Sequence, residues 1–386
     1  MWGNVMKGNN RRRLIAELVA RGPMHRAELA RSLSVTRTTT TNVVADGIAC
    51  GVLCSDEGLK ADVGISASVG VLLTVIFRAA STLVLITRVD RTPLHSLRCV
   101  VDPGTSGQER MEEALRRVRE VVGADGPQVL AAYVAVNAQI DSRSGEVVTS
   151  SASRLWGGTN PKEYFVDALG CRVVIDNEVR TSGYAQYEAG GSHVGSLLYV
   201  HLAYGIGCAQ VVDGVSVRGA RGGAGELGHV SIDPHGKPCE CGARGCLMQY
   251  VGVRTLDERA RVVWGEGANS STLVRYVRQG DHVAQAIIWS LADELSAALI
   301  VALHLLNPDE VVIGGLVDGL GEVLAGPVEH SLLSRALPLS VRGLAVRAAV
   351  ATDVAQAGLG ALLSMEEVCD ELVDYCEVAW LDCHES

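Results

Sequence analysis

One imidazole and three thiols lie close together in the chain, at His229, Cys239, Cys241 and Cys246. Zinc favours four nitrogen and sulfur ligands of this kind in a tetrahedral arrangement. Two glycines within the thiol segment let the backbone turn tightly enough for the sulfurs to converge. The pattern therefore predicts a structural zinc site. Buried free cysteines or a disulfide are the alternative, although a Cys-x-Cys pair bridges poorly, and His235 could compete with His229 as the fourth ligand.

The residues around these four form a longer pattern, Glu-Leu-Gly-His at 226–229 and Cys-Glu-Cys-Gly-Ala-Arg-Gly-Cys at 239–246. This pattern resembles the signature of the ROK family of sugar kinases and transcriptional repressors, except that Met248 stands where the family has Glu. Further matches follow in the family's order: Tyr-Gly-Ile-Gly at 204–207, Val-Arg-Gly-Ala at 217–220 and Leu-Asn-Pro-Asp-Glu-Val-Val-Ile-Gly-Gly at 306–315. The resemblance covers about 66–365 and favours His229 over His235 as the zinc ligand, since only His229 follows the motif's glycine.

The composition of the chain describes a folded, soluble protein of two or three domains, with 386 residues, 48% hydrophobic and 20% charged. The apolar stretch 69–87 is interrupted by Arg78 and predicts two strands, and the stretch 297–306 is too short to cross a bilayer. The N-terminus lacks the pattern of a signal peptide. We therefore expect a cytoplasmic protein without a membrane partner, in which three of the eleven cysteines bind zinc and the others stay reduced.

Charge is distributed unevenly around a net value of −10. Through residue 45 there are eight basic side chains and two acidic ones, whereas residues 366–386 contain eight acidic side chains and no Lys or Arg. This asymmetry predicts a separate polyanion-binding module at the N-terminus.

The first 62 residues read as a winged helix-turn-helix domain. Helices are predicted at 10–20, 26–32 and 36–49, the segment from His25 resembles the helix-turn-helix of winged-helix repressors, and 52–55 could form a strand of the wing. We expect Val43, Val44 and Ile48 to hold the third helix in place by burial. The side chains predicted to contact DNA are Arg26, Thr36, Arg37, Thr38, Thr39, Thr40 and Asn42. A three-helix cap without a DNA function is the alternative.

The body alternates strands with helices, as expected of an α/β fold. Strands are predicted at 69–77, 82–88, 129–136, 172–176, 197–203 and 309–314, and helices at 108–122, 181–189 and 282–306. The resemblance implies a two-lobed actin/hexokinase-like fold in which each lobe has a ribonuclease-H-like sheet. We assign the first lobe to 66–190, the second lobe with the zinc loop to 191–365, and an acidic tail to 366–386.

The residues that carry phosphoryl transfer in ROK kinases are altered in this sequence. The Asp-x-Gly-x-Thr of the first phosphate loop is expected at Leu72, Thr74 and Ile76. In the second loop, the side chains of Tyr204, Cys208 and Ala209 are predicted to occupy space meant for nucleotide. The base is Asp in the family, and here Glu178 stands at its position. We therefore expect a body without catalytic residues, in which Glu178 is a vestigial base.

The sugar-binding residues of the family are better retained. The resemblance implies that Asn177, Glu178, Glu226 and His229 line a ligand site, and that zinc orients His229 and so couples the ligand to the metal loop. The family's Pro-Gly turn is replaced at 137–138, and its Asn before a Trp is replaced near Ala152. A sugar or sugar phosphate is the expected effector, and an empty vestigial pocket is the alternative.

In the tail, Cys369, Cys376 and Cys383 recur every seven residues. On a helix these thiols would share a face, which predicts an oligomer contact, and a second metal site that includes His384 is the alternative.

Together these features predict a ROK-type transcriptional regulator, a repressor of carbohydrate-related genes, that binds operator DNA as a homodimer or homotetramer. An ATP-dependent sugar kinase with Glu178 as base, and a regulator that answers to no ligand, are the alternatives.

Overall fold

The structure, a computed structural model, describes residues 2–55, 61–102, 104–123, 126–148, 155–190 and 194–385, with the side chains from residue 10 to 384. The predicted departure at Ala152 lies outside the described residues.

Three helices and a small sheet form an N-terminal head. In chain order they are α1 Trp2–Arg21, β1 Met24–His25, α2 Arg26–Ser32, α3 Arg37–Ala49, β2 Leu53–Ser55 and β3 Asp62–Ile65. Gly22, with φ at +86°, ends α1, and the hydroxyl of Thr36 caps α3 by accepting the N–H of Thr39 at 3.1 Å. The three strands form an antiparallel sheet in the order β1-β3-β2, so the predicted wing is present. Strand β3 of this sheet extends past the predicted domain boundary at residue 62.

The first lobe is a five-stranded mixed sheet with helices. Its elements are β4 Val71–Arg78, β5 Ser81–Arg88, β6 Pro93–Val100, α4 Gly107–Val122, β7 Val129–Val136, α5 Pro161–Leu169, β8 Arg172–Asn177 and α6 Glu178–Gly190. The strand order is β6-β5-β4-β7-β8, in which β4, β7 and β8 are parallel and the first three strands form an antiparallel meander. The central strand β4 is buried almost throughout, which explains its unbroken apolar sequence.

The second lobe repeats this topology. Its elements are β9 Ser196–Leu202, β10 Ile206–Val212, β11 Val215–Ser216, α7 Met248–Val251, α8 Val253–Trp264, α9 Ser270–Arg278, α10 His282–Leu306, β12 Glu310–Gly315, α11 Leu320–Arg335 and β13 Ala345–Ala348. The strand order β11-β10-β9-β12-β13 repeats that of the first lobe, with a meander followed by two parallel strands. The predicted pair of ribonuclease-H-like sheets is confirmed.

Helix α10 has the bounds that the sequence predicted, His282–Leu306. At 25 residues it is, within the described part of the chain, the one helix long and apolar enough to cross a membrane, and half of its most apolar window is buried. Leu291, Leu295 and Leu299 pack in the core of the second lobe. The burial is that of a core helix in a two-lobed fold.

The chain then returns to the first lobe. Helix α12, Val354–Leu363, packs on β4, β7 and α6. Gly358 allows the close approach, because a Cβ there would meet Thr74 at 2.7 Å and Tyr133 at 3.0 Å. The predicted end of the second lobe at residue 365 is therefore too late by one helix, since an apolar helix was needed to cover the first lobe's sheet.

The acidic tail is a helix that packs on the head. Helix α13, Glu366–Glu385, contacts α1, and its buried side chains join those of α1 in one hydrophobic core. Cys376 and Trp380 are completely buried there. The apolar face of α13 therefore packs within the chain, and the expected oligomer contact through Cys376 is wrong.

Basic and acidic ends of the chain also meet at this contact. Arg12 forms ion pairs with Asp374 and with Glu377, the latter at 2.9 Å, and Arg11 pairs with Asp46 at 2.8 Å. Part of the N-terminal positive charge is thus neutralised on the side of the head that faces α13. The expectation of a wholly separate basic module is therefore corrected, since Arg12 of the head is paired with acidic side chains of α13.

Candidate metal centre, ligand site and DNA-binding face

The four predicted zinc ligands converge. The ligand atoms of His229, Cys239, Cys241 and Cys246 all lie within 4.8 Å of one another. Nδ1 of His229 lies 3.8 Å from the sulfur of Cys239, and the sulfurs of Cys241 and Cys246 are 3.6 Å apart. Zinc–sulfur bonds of about 2.3 Å in a tetrahedron separate two sulfurs by roughly 3.8 Å. The four residues therefore form a zinc site of the closed, structural type, and His235 lies outside the cluster.

Backbone hydrogen bonds shape the loop that carries the thiols. The N–H of Cys239 donates to the carbonyl of Ala243 at 2.9 Å, and the N–H of Ile232 donates to that of Gly245 at 2.8 Å. Gly245 has φ at +69°, and a Cβ there would overlap the carbonyl of Asp233. Glycine is required at this turn because a side chain would push the third thiol out of the cluster.

The thiols perturb one another's ionisation. Burial and the two neighbouring thiols raise the pKa of Cys246 to about 12. Burial also acts to raise the pKa of Cys239, but hydrogen bonds from the backbone of Cys241, the other thiols and Gln249 lower it to about 7. Adjacent thiolates repel, and a divalent cation supplies the charge that allows all three to ionise.

Glu226 lies on the same turn as the zinc ligand His229. The two are joined through a single 3₁₀ turn, Leu227–His229, in which the N–H of His229 donates to the carbonyl of Glu226 at 3.0 Å. Burial raises the pKa of Glu226, against the opposing fields of His229 and Arg180. A metal that fixes His229 therefore also fixes the backbone of the predicted ligand residue Glu226.

Asn177 and Glu178 lie where β8 ends and α6 begins. The side-chain amide of Asn177 donates to the carbonyl of Ala138 at 2.9 Å and accepts the N–H of Val179 at 2.8 Å. Asn177 thereby ties α6 to the segment that replaces the family's Pro-Gly turn. Much of its hydrogen-bonding capacity is thus used within the protein.

A buried ionic network joins this region to the Glu226 loop. Asp176, which is 1% exposed, pairs with Arg180 and with Arg218, the latter at 2.9 Å. Arg180 also donates to the carbonyls of Gly222 at 2.8 Å and Ala224 at 3.1 Å. Two arginines thus hold the loop before Glu226 against α6. The Asp directly before Asn177 was the one sign of this network in the sequence.

The predicted base position is occupied by an ion pair. The carboxylate of Glu178 is 6% exposed and accepts a hydrogen bond from Nε of Arg78 at 3.0 Å. The hydroxyl of Ser182 lies 3.5 Å from the same oxygen. A reacting hydroxyl would have to displace Arg78 to reach this carboxylate oxygen. Arg78 was visible in the sequence as the charge that interrupts an apolar stretch.

The residues predicted to replace the first phosphate loop lie inside strand β4. Leu72, Thr74 and Ile76 are buried, and the β4–β5 turn follows at residues 79–80. Arg78 is the last residue of β4, directly before this turn.

Arg110 closes this turn from within the lobe. Its guanidinium donates to the carbonyls of Arg78 and Ser81, the latter at 3.0 Å, and burial lowers the pKa of Arg110 to about 10. The turn is thereby held without a phosphate.

The residues predicted to fill the second phosphate loop lie in two settings. Residues 203–205 join β9 to β10, and Tyr204 is 52% exposed with Arg254 over its ring at 6.0 Å. Cys208 and Ala209 lie in β10, where Ala209 is buried.

The predicted DNA-contacting residues divide into exposed and buried ones. Thr36, Arg37, Thr38 and Asn42 are exposed, and Arg26 and Thr39 are partly buried. Thr40 is 1% exposed and its hydroxyl faces the carbonyl of Thr36, so its predicted contact with DNA is wrong.

The inner face of α3 is also different from expectation. Val44 is buried as predicted, but Ile48 is 39% exposed. Gly47 takes its place, since a Cβ there would meet Trp380 at 2.5 Å. Helix α3 is held by α13, which local sequence could not indicate.

Two similar sheets, a Cys₃His zinc loop and a winged head define a two-lobed actin-like α/β protein joined to a helix-turn-helix domain. The chain belongs to the ROK family, whose sequence model matches residues 83–366.

Relatives of two kinds are equally similar in sequence. A glucokinase from Thermotoga maritima is 28% identical over 247 residues, which cover 59% of this chain and 77% of the kinase. A putative xylose repressor from Caldicellulosiruptor sp. is also 28% identical over 247 residues, covering 59% of this chain and 62% of the repressor. A solved ROK family transcriptional regulator, described as a homologue of the E. coli MLC protein, shares the fold over 99% of this chain and 100% of its own, with a TM-score of 0.71 and 18% identity.

Proposed function

We propose that this protein is a DNA-binding transcriptional regulator whose kinase-like body is catalytically inactive and senses a sugar or sugar phosphate. The observation that carries the proposal is the ion pair between Arg78 and Glu178. The ion pair engages the carboxylate at the predicted base position, so a reacting hydroxyl would have to displace Arg78 to reach it.

The exposed face of α3 supports binding to operator DNA. Arg37, Thr38 and Asn42 lie on that face, and the acidic side chain of the helix, Asp46, is turned towards Arg11. A cation and small polar groups at the start of a recognition helix suit phosphate and base-edge contacts in the major groove.

The zinc loop supports effector sensing. Glu226 is fixed by the turn that ends in the zinc ligand His229, and the Asp176 network ties its loop to the helix that starts at Glu178. A hydroxyl-rich ligand held between Asn177, Glu226 and His229 would bridge the two lobes and change their closure. The head rests on the first lobe through α13, so closure would alter the distance between two heads in an oligomer.

An exposed apolar patch supports self-association as a homodimer or homotetramer in the cytoplasm. Leu305, Leu337 and Leu339 are 77%, 61% and 70% exposed. They lie together, since the N–H of Leu337 donates to the ring of His304 at 3.2 Å. Two copies would place two heads on two half-sites of an operator. The genes repressed would be carbohydrate genes beside its own coding region.

DNA binding is tested by fluorescence anisotropy with fragments from around the coding region. Arg37→Ala should weaken binding by about 1–3 kcal/mol if it contacts a base, or reduce the salt slope by about one if it contacts a phosphate. Arg117→Ala, on the exposed face of α4, is the matched control and should bind as the native protein does. Equal binding to all sequences, unaffected by Arg37→Ala, would refute the proposal.

The second candidate is an ATP-dependent sugar kinase with Glu178 as base. The equal identity to a glucokinase favours it. It requires Glu178 to leave Arg78, and it predicts turnover that Glu178→Gln abolishes.

A further inference from the structure

A pair of thiols meets at the contact between the head and α13, away from the zinc site. Cys50 caps the C-terminus of α3, and Cys383 lies in the last turn of α13. The two thiols are hydrogen-bonded to each other although 333 positions separate them in sequence. Both are partly buried, so neither is sealed in the core.

Contacts about one helical turn before each of the two cysteines hold the two helix ends together. The buried ring of Trp380 donates through Nε1 to the carboxylate of Asp46 at 3.2 Å, and Arg11 lies over the same ring at 5.5 Å. Asp46 is four residues before Cys50 on α3, and Trp380 is three residues before Cys383 on α13. The ends of both helices are therefore anchored where the thiols meet.

A proton acceptor lies beside the pair. Nε2 of His384 lies 3.6 Å from the sulfur of Cys50, within reach of its proton. Burial and the neighbouring Cys383 raise the pKa of Cys50 to about 11, whereas the charge of Arg11 opposes this. Within the described residues the metal-ligand cluster is the one at His229, so these thiols stand apart from metal binding.

We propose that Cys50 and Cys383 form a reversible disulfide that fastens the end of α13 to the end of the DNA-recognition helix α3. This goes beyond the proposed function, because it assigns the head a response to the thiol–disulfide balance that is independent of any sugar.

The oxidant is a low-molecular-weight disulfide, and the exchange takes two steps. The thiolate of Cys383 attacks one sulfur of the oxidant, which forms a mixed disulfide and releases one small thiolate. Cys50 then gives its proton to His384 and attacks the sulfur of Cys383, which releases the second small thiolate. Cys50 acts second because burial and its neighbours raise the pKa of its thiol. The protein loses two hydrogens in total and the small disulfide is reduced to two thiols.

The link would restrict the last turn of α13. In the reduced protein, side-chain contacts hold this turn against the head. In the oxidised protein it is covalently joined to α3, so local opening of the helix end no longer separates the two.

The test uses the full-length, zinc-loaded protein treated with glutathione disulfide, followed by alkylation of free thiols and peptide mass spectrometry. We expect one cross-linked peptide pair joining Cys50 to Cys383, with a mass lower by two hydrogens, that a dithiol reverses. Cys50→Ser should instead accumulate a glutathione adduct on Cys383, and the remote variant Cys99→Ser should cross-link as the native protein does. Hydrogen exchange over residues 378–385 should slow by about tenfold or more on oxidation.

Two results would overturn the proposal. One is the accumulation of separate glutathione adducts on Cys50 and Cys383 in the native protein. The other is that both thiols remain open to alkylation at a concentration of glutathione disulfide that modifies Cys99.

Discussion

The contact between α13 and the head depends on Trp380, and its removal is predicted to release the C-terminal helix. Trp380 is completely buried between α1, α3 and α13. Its ring packs against Gly47, its Nε1 donates to Asp46, and Arg11 lies over its face. No other single side chain on α13 combines these three interactions with the head within the described residues.

The size of the effect follows from burial. Replacing a fully buried Trp by Ala costs about 3–5 kcal/mol, from lost apolar contact and the cavity that remains. Since every 1.4 kcal/mol is tenfold in an equilibrium constant, a loss of about 4 kcal/mol raises the open population of α13 by roughly a thousandfold. Trp380→Phe keeps most of the packing and loses the hydrogen bond to Asp46, which should cost about 1 kcal/mol, plus a smaller cavity term.

The assay is hydrogen exchange followed by mass spectrometry, on peptides that cover residues 10–21 and 366–385. Trp380→Ala should accelerate exchange in both segments and leave the second lobe unchanged, and Trp380→Phe should lie between it and the native protein. Trp289→Ala is the matched control, since Trp289 is 46% exposed on α10. Unchanged exchange at 366–385 in a folded Trp380→Ala protein would refute the reasoning.

Three further predictions concern the body. Cys246→Ser should lower zinc affinity by more than roughly a hundredfold, measured by competition with a chromophoric chelator, whereas Cys99→Ser should retain one zinc per chain. Asp176→Asn leaves buried guanidinium charge uncompensated and should lower the free energy of unfolding in urea by about 3–5 kcal/mol. Asp141→Asn, at a more exposed pair, should lower it by about 0–1 kcal/mol. Similar losses in the two variants would contradict the role given to the buried network. Burial raises the pKa of Glu226, so ionising this carboxyl in the folded protein costs stability as the pH rises. The gain in Tm from Glu226→Gln should therefore grow between about pH 5 and about pH 8. A gain that shrinks over this range would contradict the prediction.

The sequence predicted the framework of this protein well where the pattern is local. All six predicted strands of the body are present within two residues of their predicted ends, because buried strands give continuous apolar runs. The zinc ligands were predicted by residue type and spacing, since four donors of one chemistry in a short segment have few other uses. His229 was distinguished from His235 by its place after a glycine, and the cluster confirms it.

The parts that the sequence could not indicate are contacts between distant segments. The packing of α13 on α1 and α3 joins residues more than 330 positions apart, such as Asp46 and Trp380. The pairing of Arg78 with Glu178 spans a hundred positions and needs the β4–β5 turn to be placed correctly. Ile48 was misassigned for the same reason, because Trp380 from the other end of the chain packs against Gly47 on the buried side of α3.

The ion pair of Arg78 with Glu178 is the centre of the account, and phosphoryl transfer tests it most directly. The measurement is formation of sugar phosphate from ATP and magnesium, with a panel of hexoses and amino sugars, by the native protein and by Glu178→Gln side by side. The account predicts the same background rate for both proteins, since the carboxylate of Glu178 is buried and engaged by Arg78 and does not contact a substrate hydroxyl. Saturable turnover by the native protein that Glu178→Gln abolishes would contradict it.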